Sequence, residues 1–314
     1  MHQRVDEDFK MLQRNQRLWS DLTRLALSAE QARTTVLQRS ILVSLDYNIR
    51  TARQYAIKEA HARTFEWASI DPSQGGQTTF KDWLLNGNGV YFVSGKPGSG
   101  KSTLMKYIAE HKETNAALQQ WSNGNRLVTA SFYFWNAGTP MQRSLDGLLR
   151  SILIQVLEQC PELMPTLFPD RWDNLLSAGI YNFSLAPWTI PELKSALQAI
   201  AGKTLSSKFA LFIDGLDEYD GTDREIVEYI NELANSADIK LCLSSRPHVD
   251  FIKAYGHNKD RIMFVSDLTM EDIKIYVRDR LGENEAFKTI KLQHPERYQH
   301  LKDEIVVHAK GVFL

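Results

Sequence analysis

Apolar residues along this chain follow two different periods. Over the first 68 residues they recur every three or four positions. Val5, Phe9, Leu12, Trp19, Leu22 and Leu25 form one stripe, and Ile41, Leu45, Ile49, Ala52 and Ala56 form a second, the spacing of helix faces. The same stretch holds neither Pro nor Gly, so it predicts two or three packed helices. From Ser69 to Thr79 the composition turns to Asp, Pro, Ser, Gly and Gln, which reads as a linker. Beyond it, apolar runs of strand length alternate with helical segments. Strands are expected at Val90–Val93, Leu127–Trp135, Phe209–Ile213, Lys240–Leu243 and Arg261–Val265. The clearest helix is Leu145–Leu157, where Leu145, Leu148, Leu149, Ile152, Leu153, Val156 and Leu157 make a wide apolar face. Such alternation implies a mainly parallel sheet covered by helices on both faces.

Composition narrows the function classes. The chain has 314 residues, 43% of them hydrophobic, and a formal net charge of -1, enough for one α/β core with flanking elements. No run of Lys and Arg supplies a phosphate-backbone footprint, so direct nucleic-acid binding is not expected. Phe132-Tyr133-Phe134-Trp135 could stack bases, but on a strand without basic neighbours it reads as core. No apolar stretch is long enough to span a membrane, and Asp6, Glu7 and Asp8 speak against a signal or transit peptide. Cys160 and Cys242 match no zinc or redox spacing and read as buried free thiols. A cytoplasmic location follows as the expectation.

Three segments carry candidate chemistry. Gly95-Lys96-Pro97-Gly98-Ser99-Gly100-Lys101-Ser102 follows the first core strand and opens a helical run from Thr103 to Ala109. A strand that enters a helix through a glycine-rich turn leaves backbone N–H groups pointing into one concavity, at the positive end of the helix dipole. Gly95 through Thr103 are therefore the expected phosphate-binding residues, with Lys101 reaching the β- and γ-phosphates and Ser102 on Mg2+. The second segment is the strand Phe209–Ile213 followed by Asp214-Gly215-Leu216-Asp217-Glu218. Asp214, at the C-terminal edge of a parallel sheet, is placed to hold Mg2+, while Asp217 or Glu218 could orient or deprotonate an attacking water. The third is Leu241-Cys242-Leu243-Ser244-Ser245-Arg246-Pro247. If its strand lies beside that of the glycine-rich loop, Arg246 points at the γ-phosphate.

ATP or ADP with Mg2+ is the expected cofactor. A Ras-type guanine reader needs Asp-x-x-Gly after the metal strand and an Asn-Lys-x-Asp motif, but here Gly215 directly follows Asp214 and Asn258-Lys259-Asp260-Arg261 lacks the final acid. A metabolic kinase is disfavoured because the stretch between the second and third segments is short and acidic. A non-hydrolysing module that holds nucleotide as a structural ligand and acts through its N-terminal helices is the alternative from a different class.

The three segments in this order resemble the NACHT class of STAND P-loop NTPases, in the fungal form related to the nephrocystin-like N-terminal domain. Thr64-Phe65-Glu66-Trp67, Phe80-Lys81-Asp82-Trp83-Leu84, Asp214-Gly215-Leu216-Asp217-Glu218, Ser245-Arg246-Pro247 and Ala309-Lys310-Gly311-Val312-Phe313-Leu314 carry the resemblance, which covers roughly residues 60–314. It implies a three-layer core around a five-stranded mainly parallel sheet, with the strand before Arg246 between the loop strand and the Asp214 strand. The implied organisation is a helical region over 1–68, a linker and lead-in over 69–88, the nucleotide-binding core over 89–267, and the start of a helical lid over 268–314. It also implies an ATP-driven, weakly hydrolysing switch that is closed with ADP and opens with ATP into a homo-oligomer or onto an effector protein. In fungi such relatives serve non-self recognition and programmed cell death. The family's winged helix and repeat array are expected beyond the residues present, so the sequence reads as a fragment or a short form.

Overall fold

The computed structural model describes residues 2–61, 64–65, 80–178, 186–202, 207–265 and 270–312, with the side chains of 2–19, 21, 178 and 271 left aside. The linker at 69–79, Glu66-Trp67, Leu268-Thr269 and Phe313-Leu314 lie outside the described residues. The residues group into two compact units, Met1–Leu45 with Pro161–Pro187, and Asp46–Cys160 with Trp188–Leu314.

Of the two or three helices expected over residues 1–68, the first is a 44-residue helix, His2–Leu45, in the first unit. Without Pro or Gly nothing interrupts its hydrogen-bond ladder. Leu37, Ile41 and Leu45 are buried, whereas Leu22 and Leu25 of the first stripe are exposed. Within this unit Arg33 donates to the Leu176 carbonyl, and Arg171 donates to those of Ala186 and Pro187 at 2.8 and 3.0 Å. The second stripe does not continue as helix past Leu45. In the second unit the Asp46 carboxylate accepts from its neighbour's N–H and pairs with Arg50, both at 2.9 Å, and Ile49 takes φ 58°, which no α-helix accommodates. Helix resumes only at Ala52–Ala56.

The core of the second unit is a sheet of β1 (Gly89–Ser94), β2 (Arg126–Tyr133), β3 (Ser207–Asp214), β4 (Ile239–Ser245) and β5 (Ile262–Phe264). Their order is β2-β3-β4-β1-β5 and every pairing is parallel. Alternate residues serve the two faces. Tyr91, Val93, Ala210, Phe212 and Cys242 join one buried cluster with Leu104, Met105 and Leu118 of the helices Lys101–Glu110 and Lys112–Ser122. Phe92 points the other way and meets the Tyr255 ring at 5.6 Å. That face is covered by the helices Leu145–Gln159, Asp223–Ala234 and Val249–Tyr255. Phe132, Tyr133 and Phe134 are buried, as are both free cysteines. Helices on both sides of a five-stranded parallel sheet make this an α/β P-loop NTPase-like core. No helix among the described residues is long and apolar enough to cross a membrane.

The outer edge of β2 is closed by side chains. Gln155 accepts from the Ser131 N–H at 2.9 Å and donates to the Ser131 carbonyl at 2.8 Å. Gln159 does the same for Thr129 at 3.2 and 2.7 Å. The match is geometric, because four residues of helix rise about 6 Å and two residues of strand about 6.6 Å. The two amides thus stand in for a missing strand and blunt an edge that would otherwise template aggregation. Replacing both by Ala is expected to lower unfolding free energy by about 2 kcal/mol, read as a lower urea midpoint, and to raise aggregation on refolding; an unchanged midpoint would make the amides dispensable.

At the amino end of the same strands Lys240 is fully buried. Its Nζ donates to the carbonyls of Trp83, at 2.6 Å, and Leu84, capping the last turn of the helix Phe80–Asn86. The indoles of Trp121 and Trp83 lie 4.5 and 5.2 Å from it.

Candidate functional site

The carboxyl ends of β1, β3 and β4 meet at one rim. Register places Val93 beside Ser244 and Ser94 beside Ser245, with β3 on the other side of β4, so the glycine-rich loop, Asp214 and Arg246 emerge together. Gly95 N–H donates to the Ser245 carbonyl at 3.3 Å, which ties the start of the loop to β4. The turn then uses left-handed backbone at Gly98 (φ 73°) and Gly100 (φ 87°), conformations that glycine adopts without strain. A Cβ on Gly95 would lie 2.6 Å from Ser99 Oγ, so the loop is also closely wound.

The helix Lys101–Glu110 begins directly after Gly100, and its first ladder bond runs from Leu104 N–H to the Gly100 carbonyl at 2.9 Å. The N–H groups of Lys101, Ser102 and Thr103 therefore have no carbonyl one turn back, the arrangement that receives an anion. Lys101 Nζ lies across the loop and donates to the carbonyls of Gly95 and Lys96 at 2.6 and 2.8 Å. Burial lowers its pKa, opposed by the charges of Asp217 and Asp214.

Asp214 ends β3 almost fully buried. One carboxylate oxygen accepts from the Ser244 hydroxyl, while Oδ2 is buried with no hydrogen-bond partner among the described residues. Burial raises its pKa; the Ser244 hydrogen bond, the nearby Ser102 hydroxyl and the charges of Arg53 and Lys101 oppose the rise. A buried carboxylate with an open oxygen, next to a serine hydroxyl at a helix start, fits a hard divalent cation. Ser102 and Asp214 are thus the residues that could hold Mg2+.

Asp217 and Glu218 follow on a 3-10 turn, Leu216–Glu218, and both are engaged. Asp217 accepts from Arg246 twice, from its backbone N–H at 2.8 Å and from Nε at 2.9 Å. The Asp217 side chain is nearly buried, while that of Arg246 remains 46% exposed. Glu218 Oε2 accepts from the Asn136 N–H at 2.7 Å. The expected water-activating pair is therefore a divided pair in which Asp217 orients Arg246 and Glu218 is held from one oxygen.

All these groups face a cavity of about 420 Å3, within the usual range for small-molecule sites. Pro97, Gly98, Gly100, Lys101, Ser102, Thr103, Asp214, Asp217, Glu218 and Arg246 line it; Gly95, Lys96 and Ser99 of the same loop do not, Gly95 and Ser99 being buried and Lys96 exposed. The far wall comes from residues that spacing did not single out, Arg53, Lys58, Glu59 and His61, together with Thr64, Phe65 and Tyr276. Phe65 sits at φ 64°, and its N–H donates to Asp272 at 3.2 Å. The His61 and Tyr276 rings meet edge to face at 5.5 Å. The helix Met270–Glu283 thus contributes to the wall through Tyr276. Thr64-Phe65 was legible only as part of a resemblance; Arg53 and Tyr276 have no local signature at all.

The family model described as "Nephrocystin 3, N-terminal" matches residues 75–246, more than half of the chain and inclusive of the loop, Asp214 and Arg246. No curated protein matches the sequence. Among solved structures, a chain of "Structure of Drosophila ORC bound to DNA" aligns with a TM-score of 0.29 and 14% identity over 71% of this chain. The alignment spans 50% of that chain's length.

Proposed function

The chain belongs to the nephrocystin 3 N-terminal family, and from that premise we propose that it is a nucleotide-binding switch of the fungal NACHT type in the STAND class, taking ATP or ADP with Mg2+. One observation carries the reading. A loop with unpaired helix-start N–H groups, a lysine, and a buried carboxylate with one open oxygen converge on a single cavity at the ends of three adjacent strands. In this reading Gly95 through Thr103 cradle the phosphates, Ser102 and Asp214 hold Mg2+, and Arg246, oriented by Asp217, senses the γ-phosphate. Bound Mg2+ would neutralise phosphate charge and orient the β- and γ-oxygens. The resemblance supports the cellular side of the proposal: non-self recognition or programmed cell death, executed in the cytoplasm through a homo-oligomer or an effector protein. Titration of purified protein with fluorescent ATP, with and without Mg2+, tests it. Absence of saturable binding at millimolar nucleotide would overturn the reading.

The engagement of both acids favours a second reading, a module that holds nucleotide without turning it over. Glu218→Gln separates the two, since glutamine keeps an oxygen for the Asn136 N–H and removes the base. If Glu218 acts on water, single-turnover hydrolysis slows at least tenfold while ATP affinity stays within about threefold. Equal rates in the two proteins would remove Glu218 from the chemistry, and no turnover in the wild type would select the second reading.

A further inference from the structure

One cation that faces the cavity comes from outside the loop core. Arg53 sits on the short helix Ala52–Ala56 and lines the cavity together with Lys101, Ser102, Asp214 and Glu218. Its Nε is buried without a hydrogen-bond partner among the described residues. The guanidinium lies 5.8 Å from the centre of the Trp135 ring, a face that fixes its plane by cation–π attraction. Its charge, like that of Lys101, favours the ionised form of Asp214, which lines the same cavity.

Two of the other cations on the cavity wall, Arg246 and Lys101, are differently committed. Arg246, the other residue assigned to the γ-phosphate, is paired through Nε with Asp217, and Lys101 is folded onto two loop carbonyls. An arginine is always charged, and leaving its Nε buried without an acceptor is costly. A planar guanidinium on the wall of the cavity that Asp214 and the helix start also line matches a phosphate oxygen pair.

We propose that Arg53 binds the terminal phosphate of a nucleoside triphosphate, so that a residue of the N-terminal segment distinguishes triphosphate from diphosphate. The inference rests on the nucleotide-site reading above. A diphosphate held by the loop lacks the group that Arg53 would contact, so the residue adds affinity to one ligand and little to the other. A conformational preference follows from just such a difference.

The test uses the full chain with Mg2+ and measures dissociation constants for ADP and a non-hydrolysable ATP analogue by calorimetry. Arg53→Gln is expected to weaken the analogue at least tenfold while ADP stays within about threefold; Arg53→Lys, which keeps the charge and loses the fork, should fall between. An unchanged ratio of the two constants, or equal losses for both nucleotides, overturns the proposal. If Arg53→Gln no longer melts cooperatively, Arg53→Lys decides, and a wild-type ratio in that variant overturns it. Lys101→Ala in parallel separates the two layers of argument. Intact affinities there would bring down the nucleotide site itself, whereas their loss beside an unchanged Arg53→Gln ratio would bring down only the role of Arg53.

Discussion

Lys101→Ala is expected to lower ATP affinity about 10²-fold and to leave the urea midpoint almost where it was. The two halves of that expectation have separate causes. In the folded chain the Lys101 ammonium is partly desolvated and its pKa is lowered for that reason, so its charge is a mild burden on the fold rather than a support. Its two contacts are to the loop carbonyls of Gly95 and Lys96, and the second is at an exposed residue where water can serve instead. With phosphate in the loop the balance reverses, because each charge-assisted contact in such a setting is worth about 1.5 to 3 kcal/mol. Removing one or two of them gives the stated loss. Fluorescent-nucleotide titration and urea unfolding on the same preparation check both halves. Equal ATP affinity in variant and wild type would take the loop out of the binding site, and a large fall in midpoint would mean that Lys101 works as a loop brace.

The strands were legible because burial on both faces of a parallel sheet demands short continuous apolar runs. All five fall on such runs, with ends displaced by no more than two residues. The adjacency of β1 and β4 was conditional in the residues themselves and came only with the resemblance, since crossover helices do not announce which strand they return to. The N-terminal region was misjudged in its breaks for a related reason. Helical spacing says where a face is, and only capping or dihedral events say where a helix stops; Asp46 and the left-handed Ile49 supply these without Pro or Gly. At the candidate site, single segments could be read one at a time. What could not be read is how they answer one another: that Asp217 is taken by Arg246, that Asn136 holds Glu218, or that Arg53 comes to a cavity formed by residues far along the chain. Those are tertiary contacts between polar side chains, and local periodicity does not encode them.

Lys240 is the sharpest case, since it opens a strand in the sequence and yet is fully buried. Lys240→Ala is expected to cost about 3 kcal/mol or more, through a cavity between two indoles and the loss of the Nζ donor at two helix-end carbonyls, of which only that of Trp83 keeps another partner among the described residues, the Gly87 N–H. A second variant, Lys240→Met, removes the titrating group and its donors at much the same volume, so the pH dependence of the difference belongs to the amine. Burial lowers the Lys240 pKa to about 7 from 10.5, assisted by the like charges of Lys208 and Arg261. Between those values the unfolded chain holds the proton more often than the folded one, so this lysine adds stability as pH rises through that window and its penalty is fullest below about 7. A neutral amine still has two N–H groups, enough for the carbonyls of Trp83 and Leu84, so deprotonation relieves the charge without uncapping the helix. The unfolding free energy of wild type minus that of Lys240→Met should therefore climb between pH 7 and pH 10, while titrations common to both proteins cancel. A flat difference would mean that the carbonyls and the two indole faces hold the proton against desolvation, and that the buried cation is itself part of what fixes the helix Phe80–Asn86 to the sheet.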